Sequence, residues 1–328
     1  MKRINLIDFL RGYSIFTIVL MHLCMGYASG TMSKALAFGG AGVHVFILCS
    51  GLGLYLSYLK KPLGYSDFLK RRFGKVWLPY AIAVLLWGGW YFASEGEFPL
   101  KEVCSHLFLY KMFSTELDTS LCYPYWFIST IIQFYLFWPL IVKAFRMKWG
   151  GQILIIVSLL WSTSVGLLGL EEERPWGSFF LQYLWEFGLG MWIAEKCMKS
   201  DGKCQMLKIS EMKWWWLIAG ATGGMGLSAL MAWNGGWLKL YNDIPSLFGY
   251  LSLALLIYKV GIKYVNRFFE DANEFSYELY LVHSLVFTGM TLILKGVVPV
   301  YVLLSVNLIV AYVAGYGYSW LLMKTKLK

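Results

Sequence analysis

Residues 9–29 read FLRGYSIFTIVLMHLCMGYAS, twenty-one positions in which Arg11 carries the one formal charge and His22 the one imidazole. A bilayer core about 30 Å thick needs roughly 20 apolar residues per helix, so this stretch is long enough to cross a membrane. Nine further windows share its length and composition. We therefore predict ten transmembrane helices, over residues 9–29, 40–59, 76–93, 124–145, 151–170, 177–196, 213–233, 243–261, 275–294 and 299–322. The fold class this indicates is an all-α integral membrane protein, because lipid tolerates no unpaired backbone groups.

The composition of the whole chain agrees with that fold class. Of its 328 residues, 58% are hydrophobic and 15% are charged, whereas soluble domains are about 25% charged. The 18% aromatic content excludes a disordered chain. No linker, low-complexity tract or convincing repeat divides the sequence, so we expect one membrane domain over residues 1–328.

The basic residues predict how the chain is oriented. Of the 29 Lys and Arg residues, 22 fall on one side of the predicted helices, including those of a basic loop at 60–75, and six fall on the other. Cytoplasmic loops carry the excess of positive charge, so both termini are predicted to be cytoplasmic. This bias accounts for the net charge of +10, and we expect no nucleic-acid partner. The longest loop, 94–123, is predicted to lie outside, with a short amphipathic helix within residues 100–113.

A cleaved signal peptide is the competing interpretation of the first window. Lys2 and Arg3 would be its basic region, and residues 28–30 its cleavage site. The apolar stretch is too long for that role and contains Arg11 and His22, which favours a retained helix.

The six cysteines show no metal-ligand spacing, and we expect no metal cofactor. Cys104 and Cys122 share the outer loop. Their spacing is compatible with a disulfide but does not establish one.

Ionisable groups at membrane depth are costly and point to functional sites. Arg11 and His22 are eleven residues apart, which is three helical turns plus about 20° and a rise of about 16 Å. They therefore share one face and connect the two sides of the membrane. Taken alone, Arg11 would reach the headgroups and His22 would form an interhelical hydrogen bond. Their alignment on one helix face favours a functional role for the pair, as a polar path between the two sides of the membrane.

Two further patterns each have a structural and a functional interpretation. His44 is predicted at the depth of His22, and the Ser50 hydroxyl is a conceivable nucleophile. No G-x-S-x-G motif surrounds it, and Gly51 and Gly53 indicate close helix packing instead. The basic residues from Lys70 to Lys75 suit either anionic lipid or a phosphate-bearing ligand.

These motifs together resemble the family-3 membrane acyltransferases, bacterial O-acyltransferases of the sugar-modifying type. The matching segments occur in the family's order over nearly the whole chain: Leu6–Gly12 with Val19–His22, Gly42–Leu52, Phe68–Arg72 with Pro79–Tyr80, Trp126–Ile128 with Tyr135–Leu140, Phe187–Met191 and Ser276–His283. His44 stands where the family often has an acidic residue, and Lys75 where its basic motif has a second arginine.

The resemblance implies transfer of an acyl group, usually acetyl, from cytoplasmic acyl-CoA to a hydroxyl of a carbohydrate or glycolipid outside a bacterial cytoplasmic membrane. His22 would be the general base, with an acyl-imidazole on it as a variant. Arg11, too far along the helix to touch His22, would position the donor or belong to a supporting network. The expected CoA contacts are Arg71, Arg72 and Lys75. Residues expected to contact or support the substrates are His44, Ser50, Trp126, Gln133, Glu186, Tyr280 and His283.

The alternative function is a transporter or flippase for a lipid-linked sugar or a small solute. Intramembrane Glu186, His283 and Asn307 suit it, but the missing repeats and the missing broken-helix pair weigh against it. An inactive scaffold is disfavoured by the presence of both Arg11 and His22. The sequence leaves open the acceptor, the acyl chain and the oligomeric state, including a homo-oligomer.

Overall fold

The computed structural model describes residues 4–199 and 209–325, and these form α-helices and short 3-10 turns without a β-strand. The predicted cytoplasmic residues Lys2 and Arg3 lie outside the described residues. The α-helices are α1 (Asn5–Met25), α2 (Gly30–Ala37), α3 (Gly42–Lys60), α4 (Tyr65–Glu95), α5 (Leu100–Leu107), α6 (Trp126–Leu136), α7 (Trp138–Phe145), α8 (Gly150–Leu167), α9 (Arg174–Gly177), α10 (Leu184–Lys199), α11 (Trp214–Asn234), α12 (Trp237–Tyr241), α13 (Asp243–Val260), α14 (Lys263–Ala272), α15 (Ser276–Leu294) and α16 (Val300–Lys324).

Each of the ten predicted windows overlaps an α-helix, although residues 178–183 of one window are not helical, and the described residues include eight helices long and apolar enough to cross a membrane. A ninth results if α6 and α7, which are bent by 62° at their junction, form one span. The expectation that the chain has no broken helix pair is therefore wrong at this position. The window at 177–196 corresponds to α10, whose 16 residues rise about 24 Å, less than a bilayer core. The protein is a multi-pass helical membrane protein, and the count of ten stays a prediction.

The chain divides into two compact units, and neither is one continuous segment. The first unit contains Met1–Leu63, Leu140–Glu171 and Leu181–Ser276. Its core holds aromatic and aliphatic side chains of α1, α3, α13 and α14, such as Phe9, which contacts Phe269 edge to face at 5.4 Å between ring centroids. The expectation of a single domain stays a prediction.

The second unit contains Gly64–Pro139, Glu172–Phe180 and Tyr277–Lys328. Buried tyrosine hydroxyls link the helices of this unit by hydrogen bonds. Lipid chains offer such hydroxyls no hydrogen-bond partner, so the partners are protein groups. The Tyr125 hydroxyl donates to the Leu281 carbonyl at 2.6 Å, and the Tyr318 hydroxyl donates to the Pro79 carbonyl at 2.6 Å. These bonds connect the residues just before α6 to α15, and α4 to α16.

The structure corrects the predicted loop at 60–75. The helix α4 already begins at Tyr65, so the non-helical connection is confined to residues 61–64. The sequence window missed this start because the basic residues made the segment too polar for a membrane span, although Lys and Arg are good helix formers.

The loop at 94–123, which is predicted to lie outside, has more structure than a simple connection. The predicted amphipathic segment at 100–113 forms α5 (Leu100–Leu107) and a 3-10 turn at Tyr110–Phe113. The thiols of Cys104 and Cys122 are both free.

Candidate functional site

Arg11 and His22 lie on one unbroken helix, α1, as their spacing predicted. Both are half-buried. The Arg11 guanidinium lies 5.9 Å from the centre of the Phe46 ring on α3, a cation–π distance. Next to it, a Cβ at Gly12 would lie 1.7 Å from the Phe269 carbonyl oxygen, so the close approach of α1 to α14 requires glycine there. His22 is in the last turn of α1, so the helix holds Arg11 in its first half and His22 at its end.

His44, in the first turn of α3, pairs with carboxylates of two other helices. Its Nδ1 lies 2.7 Å from Oε1 of Glu186 on α10, and its Nε2 lies 3.7 Å from Oδ1 of Asp243 on α13. The Glu186 side chain is fully buried, and its Oε2 has no hydrogen-bond partner among the described residues. A buried carboxylate needs a charged or hydrogen-bonding partner, and His44 supplies it. The structure thus joins two of the predicted residues, His44 and Glu186, in one hydrogen bond.

Close packing of α3 on α10 produces this pair. A Cβ at Gly51 would lie 2.1 Å from the Phe187 carbonyl oxygen, and one at Gly190 would lie 2.1 Å from the Leu48 carbonyl oxygen. The helices run in the same direction, because Leu48 and Gly190 lie four residues beyond His44 and Glu186. The packing interpretation of Gly51 is confirmed. That of Gly53 is wrong, because a Cβ there would meet no described atom within 4 Å.

The hydroxyl of Ser50 donates to the Phe46 carbonyl one turn earlier, at 2.8 Å. Such a bond to the preceding turn is the usual way for a serine inside a helix to satisfy its hydroxyl. The structure therefore agrees with the packing interpretation of this segment of α3 and gives Ser50 no adjacent base.

A second set of hydrogen bonds fixes Asp243. Gln182 Nε2 donates to Asp243 Oδ2 at 2.8 Å and to the Leu240 carbonyl at 2.6 Å. The Ser162 hydroxyl in turn donates to Gln182 Oε1 at 3.0 Å. Because each polar group has a partner, the carboxylate facing His44 is held in one orientation.

His44, Glu186 and Asp243 also form a set of potential metal ligands, since one ligand atom from each lies within 4.8 Å of the others. A tetrahedral zinc ion at about 2.0 Å from each ligand would hold two ligand atoms about 3.3 Å apart. His44 Nδ1 and Glu186 Oε1 are closer than that, at the 2.7 Å of a direct hydrogen bond. The geometry fits a pair that shares a proton better than a metal site.

The predicted CoA contacts occupy the first turns of α4. Arg71 and Lys75 are exposed and four residues apart, so they lie on one helix face. Arg72 is half-buried, with its guanidinium 5.8 Å from the centre of the Phe68 ring. The helix presents the exposed cations in a fixed arrangement, which a flexible loop would not.

Three of the remaining predicted residues form hydrogen bonds within the second unit. Gln133 accepts from the Phe180 backbone N–H at 3.1 Å, and its amide donates to the Met112 sulfur at 3.4 Å. The Tyr280 hydroxyl donates to the Pro124 carbonyl. His283 Nδ1 donates to the Tyr280 carbonyl at 2.7 Å, and its Nε2 faces the Ser284 hydroxyl at 3.1 Å. These contacts give Gln133, Tyr280 and His283 supporting positions.

Trp126 belongs to a different feature, a small cavity beside the outer loop. The Arg174 guanidinium lies 5.2 Å from the centre of the Trp126 ring and 4.7 Å from that of Tyr123. The cavity is lined by both charged and hydroxyl side chains, among them Lys111, Asp118, Ser129, Arg174 and Ser178.

Several of these residues were not candidates in the sequence. Asp243 begins a predicted span, where a carboxylate usually marks the membrane boundary. In the sequence, Lys111 and Arg174 stand out only as exceptions to the charge bias. Their position on the predicted outer side could have marked them as site candidates, because basic residues are few on that side of a membrane protein.

The fold and these sites define an integral membrane protein with ionisable groups held between its helices. A family model described as the acyltransferase domain of the family-3 acyltransferases matches residues 4–324. The chain belongs to this family and is an enzyme of acyl transfer. No curated protein and no solved structure matches it significantly.

Proposed function

We propose that the protein transfers an acyl group, most simply acetyl, from acyl-CoA on the cytoplasmic side to a hydroxyl of a carbohydrate or glycolipid on the opposite side of a bacterial cytoplasmic membrane. The observation that carries this proposal is the placement of Arg11 and His22 on one unbroken helix in a chain of the acyltransferase family. Their separation of about 16 Å along the axis covers roughly half of a bilayer core.

The basic residues of α4 support the donor assignment. Coenzyme A carries phosphate groups, and guanidinium forks match phosphate oxygens in pairs of hydrogen bonds. Arg71, Arg72 and Lys75 lie in the first three turns of α4, on the side predicted to carry the excess of positive charge. Arg11 lies about 16 Å from His22 along the axis of α1, too far to reach the reacting thioester, so it positions another part of the donor or belongs to a supporting network.

His22 acts as the general base. Its imidazole removes the proton of the acceptor hydroxyl while the oxygen attacks the thioester carbonyl carbon. The C–O bond forms, the C–S bond breaks, and the proton is passed to the departing thiolate, which leaves as free CoA. An imidazole suits both steps because it can accept and then donate a proton near neutral pH.

The test is acyl transfer by the purified protein in lipid vesicles. Labelled acetyl-CoA and a mixture of envelope glycans and glycolipids are supplied, and labelled acceptor and free CoA are measured. We expect His22→Ala to lower the rate by about 10²- to 10⁴-fold, the usual contribution of a general base. Cys24→Ala, two residues further on the same helix, is the matched control and should retain the rate.

Other outcomes would reassign the chemistry. If His22→Ala keeps normal transfer and His44→Gln abolishes it, the base is the imidazole that Glu186 holds. If the wild-type protein moves a lipid-linked sugar and neither binds acyl-CoA nor releases CoA, the transporter alternative is correct.

A further inference from the structure

The cavity beside the outer loop lies entirely within the second unit. It is partly open to solvent, and its enclosed space is far too small to surround a whole small molecule. A ligand bound here would place one small group inside and stay outside with the rest.

The first unusual feature of the cavity is Lys111, whose ammonium is buried without an acceptor. The residue is 1% exposed. Its Nζ lies 3.5 Å from His106 Nε2, and no carboxylate of the described residues comes within 4.0 Å of it. His106 Nε2 is 2.9 Å from the Ser120 carbonyl, while Nδ1 is 2.8 Å from the Tyr80 hydroxyl. Nε2 therefore carries the proton and donates to that carbonyl, so it cannot accept from Lys111.

The second unusual feature is a pair of serine hydroxyls. Ser129 is 2% exposed and Ser178 is 7% exposed, and the Oγ atoms of both lack a hydrogen-bond partner among the described residues. Both line the cavity. A buried polar atom without a partner is costly, and these two lie at the same cavity. The cavity therefore holds two hydroxyl groups and one ammonium group that lack a hydrogen-bond acceptor in the described part of the chain. This combination indicates a ligand with several acceptor oxygens.

The charge around the cavity gives the sign of that ligand. Lys111 and Arg174 are cationic, and Asp118 is the one carboxylate among the lining residues. The Arg174 side chain is held in place by its contacts with the Trp126 and Tyr123 rings. Burial lowers the pKa of Lys111 to about 8, which leaves the ammonium protonated at neutral pH and ready to gain from a negative partner.

We propose that this cavity binds a single oxyanion of the acceptor, a carboxylate or a phosphate, so that the acceptor is an acidic glycan or glycolipid. Lys111 supplies the ammonium, and Ser129 and Ser178 supply hydroxyl donors. That the oxyanion belongs to the acceptor of the acyl group rests on the proposed function. The oxyanion site itself does not depend on catalysis.

The test is binding without acyl-CoA, measured as the shift in unfolding temperature of the protein in lipid nanodiscs. The probes are inorganic phosphate, glucuronate and glucose, each at ionic strength matched with sodium chloride. We expect a saturable rise with phosphate or glucuronate and none with glucose. A response to phosphate alone identifies a phosphate-bearing acceptor, and a response to glucuronate alone identifies a carboxylate-bearing one.

Variants separate this site from general charge effects. Lys111→Met should weaken anion binding by about tenfold or more, the effect of losing a hydrogen bond to a charged group. The protein without anion should be no less stable than wild type, because an unpaired buried charge has been removed. The matched control is Lys101→Met in the same loop, whose side chain is 58% exposed and pairs with Glu116. It should bind as wild type does.

Ser129→Ala and Ser178→Ala keep the charge and should each weaken binding by several-fold, which covers the case in which Lys111→Met fails to fold. An equal shift with glucose, or a shift that persists in Lys111→Met and in both serine variants, would overturn the proposal. If anions bind as expected and no acyl group is transferred, the proposed function fails while the oxyanion site stands.

Discussion

The buried pair of His44 and Glu186 gives a prediction whose size follows from its geometry. Glu186 is fully buried, and its carboxylate is 2.7 Å from His44 Nδ1. Removing one partner of a buried ionic hydrogen bond leaves the other uncompensated and costs about 3–5 kcal/mol, whereas replacing both by apolar side chains is often neutral. We expect His44→Leu and Glu186→Leu each to lower stability by that amount. The double variant should be more stable than either single one.

The measurement is a double-mutant cycle in mixed micelles, with unfolding followed by far-ultraviolet circular dichroism during titration with a denaturing detergent. Glu195 and Lys199 provide the matched control, because they form an exposed pair at 2.8 Å on the same helix. Their cycle with Gln substitutions should give a coupling energy of about 0.3–0.5 kcal/mol. If the His44 and Glu186 effects simply add, the two side chains do not stabilise each other and the site geometry is wrong.

Four further outcomes are expected. Arg71→Gln with Arg72→Gln should raise the KM for acyl-CoA by about 10²- to 10⁴-fold, since two bonds to phosphate are lost and each is worth about 1.5–3 kcal/mol; the paired lysine substitutions should lose less. Gly51→Ala should lower the unfolding temperature, because its Cβ would lie 2.1 Å from a backbone carbonyl of α10, while Gly53→Ala should not. The pKa of Lys111 is lowered from 10.5 to about 8. Between these pH values the unfolded chain binds more protons than the folded chain, so stability should rise with pH. Lys111→Met should abolish this rise. A chelator should leave acyl transfer unchanged.

Each of these has a result that would contradict it. An unchanged KM in the arginine variant would remove α4 from the donor site. Equal unfolding temperatures for the two glycine variants would mean that α3 and α10 are not in backbone contact. A stability curve for Lys111→Met that still rises over the same pH range would assign the titration elsewhere, and loss of transfer with chelator would favour a metal at His44 and Glu186.

The helices were predictable from sequence because membrane depth imposes a simple composition on consecutive residues. The same criterion failed at the start of α4, where the helix continues beyond the apolar window into the basic segment. It also could not reveal the bend between α6 and α7, which depends on packing and not on local hydrophobicity. The hydrophobic pattern locates a span but does not give its path.

The candidate site was predictable only in part, for a similar reason. The 3.6-residue period places Arg11 and His22 on one face of α1, because both belong to the same helix. The contact of His44 with Glu186 joins residues 142 positions apart, and Asp243 comes from a third helix. Such pairs depend on which helices pack together, which a single sequence does not encode in any local pattern. The cavity at Lys111 depends likewise on segments distant in the chain.

The central claim is that an acyl group is transferred from one side of the membrane to the other along the face of α1 that carries Arg11 and His22. Its most direct test uses sealed vesicles of one protein orientation, with labelled acetyl-CoA on the side that carries the basic residues of α4 and the envelope glycans on the opposite side. We expect label to appear on the glycans across the intact bilayer, and His22→Ala to abolish it. Label that appears only when donor and acceptor share one compartment would contradict the account.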